Sequence, residues 1–328
     1  MDARHSASPR HVLALVALMA VAGAGVAWAQ AYPTRPVKII VPFAAGGVAD
    51  ITVRVVAEKL GDRLGQRFVI ENMAGAGGVA AARAALSGLA DGYTLAMLTN
   101  GTAVSVALFK SLPFDPLKDF VPISMLGQFD FIFAANAASD FKTSEDFLRA
   151  ARAKPGGLNV ATIAVGSTQH LTAVLLKSEA RIDFTMVPYR GTPDALVALL
   201  RNDAQLLIDT YAALRSGLDD RRIRALATSG AKRSKVLPHV PPMEEAGIGP
   251  FDVTSWNALF APKGTPSEVI DTLNRALREI LARPDVVVRL LELGIEAEAS
   301  SPQELIARLQ ADIRKWSDVI EKAGLQRQ

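Results

Sequence analysis

Cysteine is absent from this 328-residue sequence, and aromatic residues make up only 6% of it. Without cysteine the chain has no disulfide framework, no thiolate metal site and no cysteine nucleophile. Histidine is scarce as well, with four residues. No HExxH, GxSxG or GxxxxGK[ST] pattern occurs, which argues against a zinc hydrolase, an esterase with a nucleophile elbow and a P-loop protein. We therefore expect neither an enzyme nor a metal site.

The sequence also lacks a large excess of positive or negative charge. The sequence holds 36 Lys and Arg against 33 Asp and Glu, and the two signs are interspersed. A nucleic-acid-binding surface requires clustered basic residues, so we expect no nucleic-acid partner. Half of the residues are hydrophobic and 21% are charged, which excludes disorder and predicts a large packed core. A chain of this length usually divides into two domains.

The only long hydrophobic run lies at the amino terminus, where a weakly basic start precedes the uncharged residues 12–26. The small residues Ala27 and Ala29 then form a signal-peptidase site. We predict a signal peptide over residues 1–29, cleaved after Ala29, and a periplasmic mature protein with a net charge of +2. The alternative is an uncleaved anchor, but the run is rich in Ala and Gly and ends at a cleavage site.

Strands and helices alternate along the mature chain. Short β-branched runs at 37–41, 68–72 and 93–98 each lead into a Gly-rich or polar loop and then a helical pattern. The order repeats with strands at 131–135, 158–162, 185–189 and 205–209, and helices at 144–152, 166–176 and 193–200. This alternation predicts an α/β fold with parallel sheets. Asp50 is expected at a helix N-cap, and Thr265 and Ser301 each begin a capping box.

One motif formally fits a dinucleotide site, because residues 75–80 (GAGGVA) follow a strand and precede a helix. Such a site also requires an acidic residue at the end of the next strand, to hold the ribose hydroxyls. That strand ends in Leu98, Thr99 and Asn100 instead. We therefore expect no cofactor. The Gly-, Ser- and Thr-rich loops at 43–47 and 166–168 lie where open α/β sheets bind ligands, and their backbone N–H groups favour a carboxylate.

Residues 32–36 (YPTRP) and 40–50 (IVPFAAGGVAD) resemble the opening of the Bug family of solute-binding proteins, the TctC-like receptors of tripartite tricarboxylate transporters. Further family-like segments follow in the same order: Glu71-Asn72 with GAGG at 75–78, DGYTL at 91–95, GSTQHL at 166–171, VPYRG at 187–191, RALA at 224–227, EEAG at 244–247, APKGTP at 261–266, and Trp316 with Ala323-Gly324. The resemblance covers essentially the whole mature chain. Ala45 stands where the family usually has proline, and Ala164 where it usually has glycine.

The resemblance implies a two-lobed periplasmic binding protein of the type II-like class, each lobe a mostly parallel sheet flanked by helices, with the ligand in the cleft between them. Residues 30–129 and 253–328 would form lobe 1, and residues 130–252 lobe 2. It implies a small carboxylate ligand, gripped by a first jaw at 43–47 and a second jaw at 166–168. The ligand-binding candidates are Phe43, Ala44, Ala45, Gly46, Gly47, Asp50, Asn100, Gly166, Ser167, Thr168, His170, Tyr189, Arg190 and Asp209.

Several of these candidates have a structural alternative. Asp50 is better explained as a helix cap than as a ligand contact, since it would face a carboxylate. His170 could equally pack the helix that it opens, and Asp209 could be a turn residue. For the whole chain two functions stay open: a monomeric receptor that delivers its ligand to the large and small membrane subunits of a transporter, or a sensor that presents its ligand-bound form to a signalling domain. A periplasmic hydrolase is a third possibility.

Overall fold

The computed structural model describes residues 32–249 and 251–327. The predicted signal peptide and its cleavage site lie outside these residues. Among the helices described, none is long and apolar enough to cross a membrane.

The chain alternates between strands and helices over most of its length. The strands are β1 (Val37–Val41), β2 (Phe68–Asn72), β3 (Thr94–Thr99), β4 (Phe120–Asn136), β5 (Asn159–Ile163), β6 (Thr185–Tyr189), β7 (Leu206–Thr210), β8 (Ile223–Thr228), β9 (Thr254–Pro262) and β10 (Glu296–Ala297). The helices are α1 (Val48–Leu64), α2 (Val79–Leu86), α3 (Asn100–Leu108), α4 (Ser144–Ala153), α5 (Thr168–Ala180), α6 (Thr192–Leu200), α7 (Tyr211–Asp219), α8 (Ser267–Leu281), α9 (Pro284–Leu291) and α10 (Pro302–Lys322).

The sheet consists of two halves that share the 17-residue strand β4. In the first half, the order is β2-β1-β3-β9-β4, and β10 pairs with β4 as well. In the second half, β4 pairs with β7 and β8, and the order continues through β5 to β6. Strand β4 changes partner at one place: Asp130 is paired with Thr254 of β9, and the next residue, Phe131, is paired with Thr210 of β7.

The α/β fold predicted from the alternation is confirmed, and it contains antiparallel strands that the sequence pattern did not reveal. Strands β1, β2 and β3 are parallel to one another, as are β5, β6 and β7. Strands β4, β8 and β9 run antiparallel to their neighbours. Each half is therefore a mixed sheet, in which parallel strands with helical crossovers are joined to the antiparallel β4.

The carboxyl-terminal helices cover the sheet with apolar faces. Helix α8 buries Leu273, Leu277 and Ile280. The capping box at Ser301 is confirmed, since its side chain accepts a hydrogen bond from the backbone N–H of Glu304. The prediction of a capping box at Thr265 is wrong. Pro266 is the N-cap residue, and the Thr265 hydroxyl donates to the carbonyl of Pro262 instead.

Asp130 lies where β4 leaves the first half and enters the second, and its carboxyl group is largely buried against Gly230. A Cβ atom at Gly230 would lie 2.7 Å from both Asp130 carboxylate oxygens, so a larger residue there would displace the carboxyl group. Burial, with the nearby charges of Glu296 and Asp252, raises the pKa of Asp130 to about 6. A folded-state pKa above the unfolded value of 3.8 means that ionisation of Asp130 lowers stability as the pH rises between these two values.

We expect Asp130→Asn to stabilise the protein at neutral pH, because an amide has no charge to bury. The gain in the free energy of unfolding over wild type should be small near pH 4, grow up to about pH 6 and level off at about 3 kcal/mol. Urea denaturation at a series of pH values measures it. Asp318→Asn, at an exposed position on α10, should change the unfolding free energy by less than about 0.5 kcal/mol. A gain independent of pH would contradict this account of Asp130.

Candidate functional site

A cavity of about 500 Å³ lies between the two halves, where the parallel strands end. Strands β1, β3, β5, β6 and β7 all point their carboxyl ends towards it, as expected for a ligand site in an α/β sheet. Its lining is mostly apolar and comes from both halves: Pro42, Phe43, Ala44, Ala45, Gly47, Val48, Ala49, Ala74, Gly75, Ala76, Thr99, Phe129, Ile163, Ala164, Val165, Thr168, Gln169, Pro188, Tyr189, Arg190, Gly191, Thr192, Pro193, Asp209, Ser255 and Asn257.

The structure places eight of the fourteen predicted ligand-binding residues in this lining: Phe43, Ala44, Ala45, Gly47, Thr168, Tyr189, Arg190 and Asp209. Gly166 and Ser167 lie directly behind, at a small gap where the second jaw contacts the first half. Gly46, Asp50, Asn100 and His170 are outside both groups. The predicted jaws therefore face each other across one cavity, and several polar candidates support them from behind.

Asp50 holds the first jaw in shape. The helix N-cap is Gly47, so the expectation that Asp50 caps α1 is wrong; Asp50 lies in the first turn of the helix. Its Oδ2 accepts hydrogen bonds from the backbone N–H of Gly46 (3.0 Å) and from Arg54 Nε (2.9 Å). Burial alone would raise the pKa of Asp50, but these donors outweigh burial and lower it. The ionised carboxylate of Asp50 holds the turn at Gly46 through this hydrogen bond. Gly46 has a φ of 87°, a left-handed backbone conformation that glycine adopts without strain.

The second jaw is fixed by its own helix. Ser167 is the N-cap residue of α5, and its Oγ accepts a hydrogen bond from the backbone N–H of His170 (3.2 Å). Gly166 has a φ of 84° and approaches the first half closely, with its carbonyl oxygen 3.4 Å from Ser105 Oγ. His170 is buried in the first turn of α5, and burial lowers its pKa. His170 therefore packs the helix in its neutral form near pH 7.

Asp209 connects three segments of the second half. Its Oδ1 accepts hydrogen bonds from Gln169 Nε2 (3.2 Å) and from the backbone N–H of Thr210 (2.8 Å), and its Oδ2 accepts one from Thr192 Oγ1 (2.5 Å). The side chain is fully buried, which raises its pKa, although these three donors oppose the shift. Asp209 thus joins the first turn of α5 to the first turn of α6 at the floor of the cavity.

The remaining polar groups of the lining include several that the sequence analysis missed. Ser255 and Asn257 come from β9, and Asn257 Nδ2 donates to Thr52 Oγ1 (3.0 Å). Strand β9 was not predicted, because its residues are almost continuously buried and lack period-two alternation. Gln169 belongs to the recognised GSTQHL segment, yet nothing in that segment distinguished it from a helix-packing residue. Arg190, an exposed side chain, is the one cation in the lining described above.

Two helices begin at the cavity without a side-chain cap, one from each half. Gly47 is the N-cap residue of α1 and Gly191 that of α6; neither offers a capping side chain, and both line the cavity. Uncapped helix N-termini present free backbone N–H groups and a partial positive charge. Anionic ligand groups bind well at such ends. Among the described residues, no group of three or more His, Asp or Glu side chains comes together as a metal site would require.

Several known proteins are similar to this chain over most of its length. The family model described as the tripartite tricarboxylate transporter family receptor matches residues 52–325. Protein BugT of Bordetella pertussis is 34% identical over 318 residues, which is 95% of this chain and 97% of that protein. A protein encoded in the tcbD-tcbE intergenic region of a Pseudomonas species is 33% identical over 95% of this chain and 93% of its own length.

Solved structures of similar proteins include two with bound dicarboxylates. An R. palustris protein solved with adipate has a TM-score of 0.86 and 33% identity, covering 89% of this chain and 98% of that one. MatC from Rhodopseudomonas palustris, solved with malate, has a TM-score of 0.82 and 34% identity over 88% of this chain and all of that one. The periplasmic binding protein BugD has a TM-score of 0.85 and 29% identity, covering 90% and 100%. These are binding proteins rather than enzymes, and the chain belongs to the family of tripartite tricarboxylate transporter receptors.

Proposed function

We propose that the protein captures a small carboxylate in the cavity between its two halves and delivers it to the membrane subunits of a tripartite transporter. The observation that carries this proposal is the pair of uncapped helix N-termini at Gly47 and Gly191, which face one cavity from opposite halves. Backbone N–H groups at both ends favour a ligand that is anionic where it meets them. The apolar walls between them suit a hydrocarbon body.

Two rigid lobes that close on the ligand would account for the architecture. We assign residues 30–129 and 253–328 to one lobe and residues 130–252 to the other, with β4 and the segment before β9 as the connections. A ligand held by both jaws shifts the equilibrium towards the closed form, because only that form makes both sets of contacts. The membrane subunits would then distinguish the loaded protein by its shape. The periplasm, after cleavage at Ala29, is the proposed location.

We expect the purified protein to melt at a higher temperature in the presence of some small carboxylate. A ligand at 100 times its dissociation constant adds about 2.7 kcal/mol to the free energy of unfolding, which is a shift of several degrees. Thermal denaturation should be followed with a panel of mono-, di- and tricarboxylates that includes adipate and malate, on protein unfolded and refolded to remove retained ligand. Adipamide, the uncharged diamide of adipate, is the matched control and should give no shift.

If no carboxylate of the panel raised the melting temperature, the proposal that the protein captures a carboxylate would be refuted. Delivery is tested separately, by measuring uptake of the active carboxylate in cells with and without this protein. Capture without any effect on uptake would favour a sensor over a transport receptor.

A further inference from the structure

One buried oxygen atom joins the carboxyl-terminal helix to the second jaw. Asn100, the first residue of α3, accepts two hydrogen bonds at Oδ1: one from Trp316 Nε1 of α10 (2.8 Å) and one from Thr168 Oγ1 of α5 (3.1 Å). Asn100, Trp316 and Thr168 are 1%, 0% and 3% exposed. Because a carbonyl oxygen has two lone pairs, these two donors occupy its full capacity.

The two hydrogen bonds differ in what they connect. Asn100 and Trp316 both belong to the first half, where α10 packs along α3, so their contact does not depend on the position of the second half. Thr168 belongs to the second jaw, so its hydrogen bond to Asn100 crosses the cleft. A buried indole N–H has a strong need for an acceptor. Trp316 therefore holds the Asn100 side chain in one orientation, with its oxygen presented to Thr168.

Asn100 is not part of the cavity lining, whereas Thr168 is. The hydrogen bond from Thr168 therefore connects Asn100 with the cavity. Next to this contact, Thr168 Oγ1 also lies 3.4 Å from Ser255 Oγ of β9, and the carbonyl of Gly166 lies 3.4 Å from Ser105 Oγ of α3. Both distances are at the limit of hydrogen bonding. The Asn100–Thr168 contact is thus the best formed of these side-chain contacts between the jaw and the first half.

We propose that Asn100, oriented by Trp316, is a positioning residue that fastens the second jaw to the first half when the lobes close. This inference rests on the proposed function, since it requires the lobes to separate without ligand. The hydrogen bond from Thr168 is lost on opening, and the one from Trp316 is kept. Asn100 consequently stabilises the closed form by the same amount for every ligand. It sets affinity and leaves the order of preference among carboxylates unchanged.

The test is a double-mutant cycle on ligand affinity with Asn100→Leu and Thr168→Val, which remove the acceptor and the donor while keeping side-chain size. Adipate and malate are the probes, and calorimetry gives Kd. We expect each single variant to weaken both ligands about fivefold, the usual effect of one hydrogen bond, and the double variant to weaken them no further. Asp318→Asn, at an exposed position on α10 away from the cavity, is the control and should bind within twofold of wild type. Should Asn100→Leu fail to fold, Asn100→Ala completes the same cycle.

Losing the acceptor for Trp316 also lowers stability, but this loss is present in the open and closed forms and cancels in Kd. Independent effects, in which the two factors multiply in the double variant, would overturn the proposal, because Thr168 would then act only through its own contact with ligand. A change in the ratio of adipate to malate affinity in Asn100→Leu would overturn it as well. Wild-type protein that binds no carboxylate at all refutes the proposed function instead, so the two failures are distinguishable.

Discussion

Gly166→Ala should weaken carboxylate binding by about tenfold or more, which is the largest effect on affinity that we expect from adding one methyl group. A Cβ atom at this position would lie 3.1 Å from the Phe109 ring and 3.2 Å from Ser105 Oγ, both in the first half. These contacts form only when the second jaw lies against that half. Overpacking of this kind costs about 1–3 kcal/mol, and here the cost falls on the closed form alone.

The backbone strain of the substitution can be separated from its effect on closure. Gly166 and Gly247 have similar φ angles of 84° and 78°, but a Cβ atom at Gly247 would have no neighbour within 4 Å. Both alanine variants should lose about 1–2 kcal/mol of unfolding free energy from the left-handed backbone, and only Gly166→Ala should bind ligand more weakly. Calorimetry with the active carboxylate and urea denaturation without it provide the two measurements. Equal affinity in both variants would show that the jaw does not need this close approach.

The parallel parts of the fold were predictable because local patterns determine them. Strands β1, β2 and β6 have the bounds that the sequence predicted, and the strands predicted at 93–98, 158–162 and 205–209 are within one residue of the observed ones. A short β-branched run, a polar turn and an amphipathic helix are all visible within about 30 residues. Strand β4 was predicted over only five of its 17 residues, since its buried half in the first sheet includes Pro122 and two register shifts. Such a strand is defined by distant partners rather than by its own pattern.

At the site, too, features set by local sequence were predictable and features set by long-range contacts were not. The positions of the two loops were predictable, because each is a short Gly-rich segment directly before a helix, and helix N-termini favour anions. The roles of the side chains around them were not, since they depend on long-range contacts: Asn100 meets a tryptophan 216 positions away, and Asp209 meets Gln169 at a separation of 40. Three polar residues that the sequence suggested as ligand contacts, Asp50, Asn100 and Asp209, thus have hydrogen-bond partners within the protein.

Asp209→Ala should have the largest effect on stability, because it leaves three buried donors without an acceptor. Gln169 Nε2, Thr192 Oγ1 and the backbone N–H of Thr210 all donate to this carboxylate. A buried donor left unsatisfied costs about 1–3 kcal/mol, so we expect a total loss of about 3–5 kcal/mol. Asp209→Asn keeps one carbonyl acceptor of the same size, and its loss should be about half as large.

Ligand binding should fall along with stability, because Asp209 fixes the first turns of α5 and α6 relative to each other. The second jaw precedes α5, and the uncapped end at Gly191 begins α6. Without their common acceptor, these two binding elements lose their fixed spacing, and we expect at least a tenfold increase in Kd for the active carboxylate. Asp203→Ala, an exposed acid in the same half, should change both quantities little. An Asp209→Ala protein with full affinity would show that the two turns are positioned by packing alone, independently of this carboxylate.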